Sequence, residues 1–306
     1  MHQQHHGLSS GTIQAISPLP TTTGKDPRLR YLAWSRIALG SLFLLRTTPL
    51  FVFLRFPFEA DPWPLLGWPD EHWTGAGWLR LPDAVTAAAC VARTAAATCF
   101  LLGVHARVAG LAAGLLGYLV MLQHPFGAAF TLHLLFQGVI VLALGDCASA
   151  LAWRPEAPSA PRSSVQLVRW FVASIYFWAG VGKLRPDWLD GRTLALFQSD
   201  GAFHGWASHA LLSTSTSRAV CATTVAFTEL ALPWLLLWPR TERLGLAFAF
   251  ALHAAIELAA RPDVLGWEMA ALLLALWPVR PQEDGSRDPL PAYSHANAGA
   301  GQPMKP

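Results

Sequence analysis

Lys183 is the residue whose type and place most invite chemistry. Lys and Arg together number 22, but only three are Lys, and the other two, Lys25 and Lys305, lie near the chain ends. Arg keeps its proton in any protein environment, whereas a desolvated amine can give its proton up. A chain that uses Arg wherever a plain positive charge is wanted, and Lys once in its interior, marks that place for a base or a charge switch. The competing reading is a snorkelling Lys with its ammonium among lipid headgroups. Arg169, Tyr176 and Lys183 stand seven apart and so share one helical stripe with a small drift. Gly180 and Gly182 leave room for a second helix to come close, which would bring Lys183 into the interior.

Other polar residues fall inside apolar runs, where ionisable groups are costly and face the bundle interior. Glu229 precedes Pro233 by four, so its carbonyl loses the usual helical donor and a kink beside a carboxylate is expected. His253 and Glu257 are four apart and can touch on one helix face. Three readings stay open for that pair: a structural hydrogen bond, an imidazole oriented for proton transfer, or a metal ligand pair. Glu268 is a partner for one of the arginines, and Arg36, Arg46 and Arg93 either snorkel or turn inward. Asp187 to Gly191 reads as a capped interfacial turn, with Trp188 anchoring the membrane level. The four cysteines (Cys90, Cys99, Cys147, Cys221) form no C-x-x-C pair and no metal-ligand spacing, so no metal and no redox dithiol is expected.

The elements that hold these residues follow from composition. The chain is 53% hydrophobic and 13% charged, where a soluble domain carries about a quarter charged residues. A bilayer core needs roughly 20 apolar residues to cross as a helix, and only helices close their backbone hydrogen bonds within such runs. The expected fold is all-α, a polytopic integral membrane bundle of about eight helices. Spans are expected near residues 31–54, 84–104, 108–123, 129–145, 165–184, 219–238, 244–260 and 264–279, with an interfacial helix between Arg192 and Ser217. A disordered polar N-terminus (1–30) and a disordered tail (281–306) flank the membrane domain (31–280). Loop cations set the orientation. With the N-terminus inside, ten fall on inner loops and seven on outer ones, which favours a cell (inner) membrane protein with both termini cytoplasmic. The net charge of +3 is spread through loops, so the lipid bilayer is the expected partner and nucleic acid is not.

The run from Tyr176 to Gly191, Tyr-Phe-x-Ala-Gly-x-x-Lys-Leu-x-x-Asp-Trp-x-x-Gly, resembles the signature of vitamin K-dependent gamma-carboxylases and their bacterial relatives, the HTTM (horizontally transferred transmembrane) family. The likeness extends from Arg36 to the last span as a pattern of spans with sparse polar residues, and Glu229 falls where the family has a Glu. The resemblance implies that Lys183 is the base that deprotonates a vitamin K-like hydroquinone, with O2 and CO2 as co-substrates. It also implies Lys183, His133 and Glu229 as catalytic residues, with Tyr176, Trp188 and His253 lining the quinol site. Two departures stand out. The large lumenal domain of the carboxylases has no counterpart here, so carboxylation of a protein glutamate is not expected. The assisting His of that family falls at Thr131, and His133 lies two residues away, near the opposite helix face.

Three function classes compete. One is a quinol-dependent, carboxylase-like membrane enzyme acting on an exported peptide or protein. The second is an accessory protein for maturation of an exported peptide or toxin. The third is a transporter or structural membrane partner. The lone interior Lys favours the first over the third, and the missing lumenal domain favours the second over a full carboxylase. Inverted symmetry among the spans would favour the third, and the sequence carries none.

Overall fold

The computed structural model describes residues 26–48, 81–122, 130–203, 206–259 and 264–278. Helices, turns and connectors account for them, and no strand forms among them. Most of the expected N-terminal segment and the whole expected tail lie outside the described residues.

Helix α1 (Pro27–Thr47) begins ahead of the expected Tyr31, because Asp26 caps it by accepting from the Arg28 amide at 2.9 Å and Pro27 supplies a ready-made first turn. It sits at the middle of the bundle, against α2 (Asp83–Leu102), α4 (Phe130–Leu144), α5 (Pro161–Gly182) and α11 (Val264–Leu274). Helix α3 (Ala106–Met121) pairs with α4 through Gly110, Gly114 and Gly117, where added Cβ atoms would meet Ala143, Ile140 and Phe136 at 2.8 Å or less. Such a small-residue seam lets two apolar helices gain dispersion contacts where no hydrophobic effect drives them together.

Beyond α5 come three short helices: α6 (Pro186–Leu189), where a capped turn was expected, and α7 (Arg192–Ser199) and α8 (Trp206–Leu211), in the stretch where one interfacial helix was expected. Then α9 (Ser215–Leu237) packs along α5, and α10 (Glu242–Ala259) links it to α11. Helix α9 runs through Pro233 as one element.

Among the described residues three helices are long and apolar enough to cross a membrane, over Ala84–Leu102, Pro161–Gly182 and Ser215–Leu237. Of the eight expected crossings, these three meet both length and hydropathy among the described residues. Ala106–Met121, Thr131–Leu144 and Leu265–Leu274 are apolar but short. Helix α1 carries Arg28, Arg30, Arg36 and Arg46, and α10 carries Glu242, Arg243 and Glu257, which dilute runs otherwise apolar. In the three long spans only 22% to 33% of residues are buried inside the protein, so most of each apolar surface faces outward, as lipid requires. Among the described residues the chain is all-helical, and its long apolar helices mark it as a membrane protein.

The charges nearest the core act as clasps. Arg36, fully buried, donates to the Cys147 and Leu151 carbonyls at 3.0 and 2.5 Å and ties α1 to the loop before α5. Arg93 turns inward and donates to the Thr47 carbonyl at 2.6 Å, covering the end of α1. Asp146 accepts from the Ser159 and Ala160 amides and from the Ser159 and Ser164 hydroxyls, and pairs with Arg107 at 3.1 Å. Burial works to raise its carboxyl, but these hydrogen bonds outweigh it and hold Asp146 below the usual carboxylate range.

Candidate functional site

Helix α5 ends at Lys183, its C-cap, whose amide donates to the Gly180 carbonyl at 3.0 Å. Gly180 decides what the Lys side chain meets. A Cβ there would lie 2.8 Å from Leu230 Cγ and 3.0 Å from the Leu230 amide nitrogen, so only a glycine lets α9 come this close. Gly182, expected to share that role, has nothing within 4 Å of where a Cβ would sit. The expectation fails there because Gly182 falls on a face of α5 with no helix against it.

Through the close approach at Gly180, Lys183 Nζ reaches Glu229 of α9, 2.9 Å from Oε1 and 2.6 Å from Oε2. The Lys side chain is 22% exposed and that of Glu229 only 9%. Nζ also lies 5.2 Å from the centre of the Trp188 ring, within cation–π range, and 3.4 Å from the Ala179 carbonyl. Trp188 is held in turn: its indole N–H donates to the Ala222 carbonyl at 3.0 Å, pinning α6 onto α9. The chain then turns at Gly191 (φ +80°), where a Cβ would sit 2.7 Å from the Ala219 amide nitrogen.

Two turns back along the stripe, Tyr176 is buried and its hydroxyl lies 2.9 Å from Nε2 of His253 on α10. The other ring nitrogen of His253, Nδ1, is buried with no hydrogen-bond partner. His253 therefore does not bond to Glu257, as its four-residue spacing had suggested. The Glu257 carboxylate is turned toward α11, where its Oε1 would stand 2.2 Å from a Cβ at Gly266. Two turns further back, Arg169 pairs with Glu242 at the start of α10. Each rung of the seven-residue stripe thus meets a different residue of α9 or α10: Glu229, His253 and Glu242.

Five of the six expected site residues are brought together along the α5 stripe: Lys183 pairs with Glu229 and lies over the Trp188 ring, and two turns back Tyr176 bonds to His253. His133 is placed elsewhere. It is half-buried on α4, its ring 5.5 Å from that of Tyr118 on α3, and its carbonyl accepts from the Tyr118 hydroxyl at 3.3 Å. Arg185, two residues beyond Lys183, is exposed and committed to Asp187 at 2.6 Å, which holds the Asp187 carboxyl below its usual range. Glu268 is fully buried on α11. The partner that sequence reasoning missed is Glu242, 73 residues from Arg169, a separation with no local spacing signal.

Among the described residues no three His, Cys, Asp or Glu side chains gather as a metal site. What the group offers is an amine and a carboxylate within proton-transfer distance, an aromatic face beside them, and a buried imidazole with one nitrogen unused. Such a pair can pass a proton internally and leave a neutral amine facing a weak acid.

The family model of the HTTM domain matches residues 74–277, from ahead of α2 to the end of α11. No curated protein and no solved structure matches the chain.

Proposed function

This chain belongs to the HTTM domain family, and we propose that within it the protein is a membrane enzyme in which Lys183 takes a proton from a lipid-soluble quinol. The observation that carries the proposal is the Lys183–Glu229 pair, with Nζ 2.6 and 2.9 Å from the two carboxylate oxygens in a half-buried place under Trp188. Glu229 stores the proton that Lys183 must shed before it acts as a base. When Lys183 regains a proton from its substrate, the ammonium stands beside the new anion and stabilises it. Trp188 would offer its indole to a quinol ring, and Tyr176 holds His253 through Nε2, which leaves Nδ1 available to a quinol hydroxyl. A bound quinol supplies a weakly acidic hydroxyl and two electrons. Carboxylase-like chemistry takes O2 and CO2 as co-substrates, and the acceptor we propose is an exported peptide or protein.

The same reading treats the eight longer helices, α1 to α5 and α9 to α11, as eight spans of the cell membrane with both termini cytoplasmic. It is supported by their fall on the eight apolar runs and by the ten-to-seven balance of loop cations. Helices α6 to α8 then lie along the outer surface.

The test is Lys183→Ala and Lys183→Arg in cells that make the protein, scored by membrane level and by the mass of exported peptides. Loss of a modified product in both variants, at normal membrane level, is the expected result. Full function in Lys183→Arg would reduce Lys183 to a positive charge and end the base reading.

A further inference from the structure

At the end of the bundle opposite Lys183 the helices leave an open cavity of about 380 Å³. Four arginines line it: Arg28 of α1, Arg162 and Arg169 of α5, and Arg243 of α10. One carboxylate, Glu242, lies among them and is engaged by Arg169. Arg28, Arg162 and Arg243 form no ion pair among the described residues. Asp26, which caps α1, does not line the cavity.

Three helices begin at this cavity, at Pro27, Pro161 and Glu242. Their first-turn amides and aligned peptide dipoles add positive potential to that of the arginines. Four cations around one space repel unless an anion stands between them. Guanidinium forks match phosphate oxygens two at a time, and the volume suits a headgroup-sized ligand. Trp277, 47% exposed at the rim, belongs at the headgroup level of a bilayer. Basic pockets between helix ends at that level suit phosphate-bearing headgroups.

We infer that this cavity is a phosphate-binding site, held by Arg28, Arg162 and Arg243 with Arg169 fixed behind them by Glu242. The phosphate belongs either to an anionic phospholipid or to a free phosphate ion. The site stands apart from the Lys183 group and does not depend on what that group does.

The full-length protein is placed in nanodiscs of phosphatidylcholine alone or with phosphatidylglycerol, and in detergent with inorganic phosphate or chloride at equal ionic strength. Thermal stability and retained lipid, by native mass spectrometry, are read for wild type, Arg162→Gln/Arg243→Gln and the remote control Arg185→Gln. The expected result is retained phosphatidylglycerol, or stabilisation by phosphate over chloride, in wild type and Arg185→Gln. At least a tenfold weakening is expected in the double variant. Lipid retention without a phosphate response identifies the lipid headgroup as the source, and the reverse identifies the free ion. If the double variant does not fold, Arg28→Gln alone is read in its place, with at least a threefold weakening expected. Equal binding in wild type and the arginine variants overturns the site. So does binding that appears only in Glu283→Gln/Asp284→Asn, for the occupant is then the chain's own acidic stretch beyond Pro278.

Discussion

The two ends of α5 carry the same kind of interaction and are built for different purposes. At the start of the helix, Arg169 pairs with Glu242 beside a cavity lined by three more arginines. Toward its far end, about 21 Å along the helix from Arg169 at 1.5 Å per residue, Lys183 pairs with Glu229 under a tryptophan ring, and Arg185 is turned outward to Asp187. The first end surrounds one acid with permanent cations, an arrangement that attracts an anion and cannot release a proton. The second isolates one amine with one carboxylate, an arrangement whose charge can move between partners. Cation type and neighbouring charge, more than burial, separate a binding end from a proton-transfer end.

Exchanging the cations is the sharpest way to break this comparison. Lys183→Arg is expected to lower product formation about 100-fold or more, the scale of a lost general base, whereas Arg169→Lys leaves it within about threefold. Both are read as product mass per unit of membrane protein. Equal losses would mean that the two ends differ only in position.

Removing one member of the far pair should cost stability next. Glu229→Leu strands the ammonium and is expected to lose about 3 kcal/mol, with Lys183→Met/Glu229→Leu losing clearly less. Unfolding in detergent measures both. A double variant as unstable as the single one would show that packing at Glu229, and not the pair, carries the effect.

The close approach that creates the far pair can be tested within three residues. Gly180→Ala drives a methyl into Leu230 and is expected to cost about 1–3 kcal/mol and to lower activity by moving Glu229 away from Lys183. Gly182→Ala, where nothing lies within 4 Å, should change neither stability nor activity measurably.

Tyr176→Phe leaves both nitrogens of His253 without a partner and is expected to cost about 1–2 kcal/mol in the same assay. The smallest effect belongs to Asp146, next to the near end of α5. Its carboxyl is held below the usual range in the folded protein, so its stabilisation is present above the ordinary carboxylate pKa and lost as pH falls through the folded value. Asp146→Asn should lower stability near neutrality by about 1 kcal/mol and leave it little changed at acid pH, so the acid limb of the stability–pH curve flattens.

Most of the candidate site was legible in the residues themselves. A lone interior Lys, two glycines ahead of it and a seven-residue stripe point to one helix face, and that face carries the group. Local rules failed where a residue had two possible partners. His253 was read toward Glu257 because a four-residue spacing makes neighbours on any isolated helix. In the bundle, Tyr176 of α5 takes the imidazole and Gly266 of α11 gives the Glu257 carboxylate somewhere else to lie. Gly180 and Gly182 looked alike for the same reason, since the sequence does not say which face of α5 meets α9.

Composition and apolar runs alone determined that this is an all-helical membrane protein. A backbone surrounded by lipid must satisfy its own hydrogen bonds, and helices do so within each run. Tertiary structure alone decided which acid faces which base. Glu229 is 46 residues from Lys183 and Glu242 is 73 from Arg169. Helix packing brings such pairs together through shape at a few contacts, here the missing side chain of Gly180 against Leu230, and residue spacing carries no record of that shape.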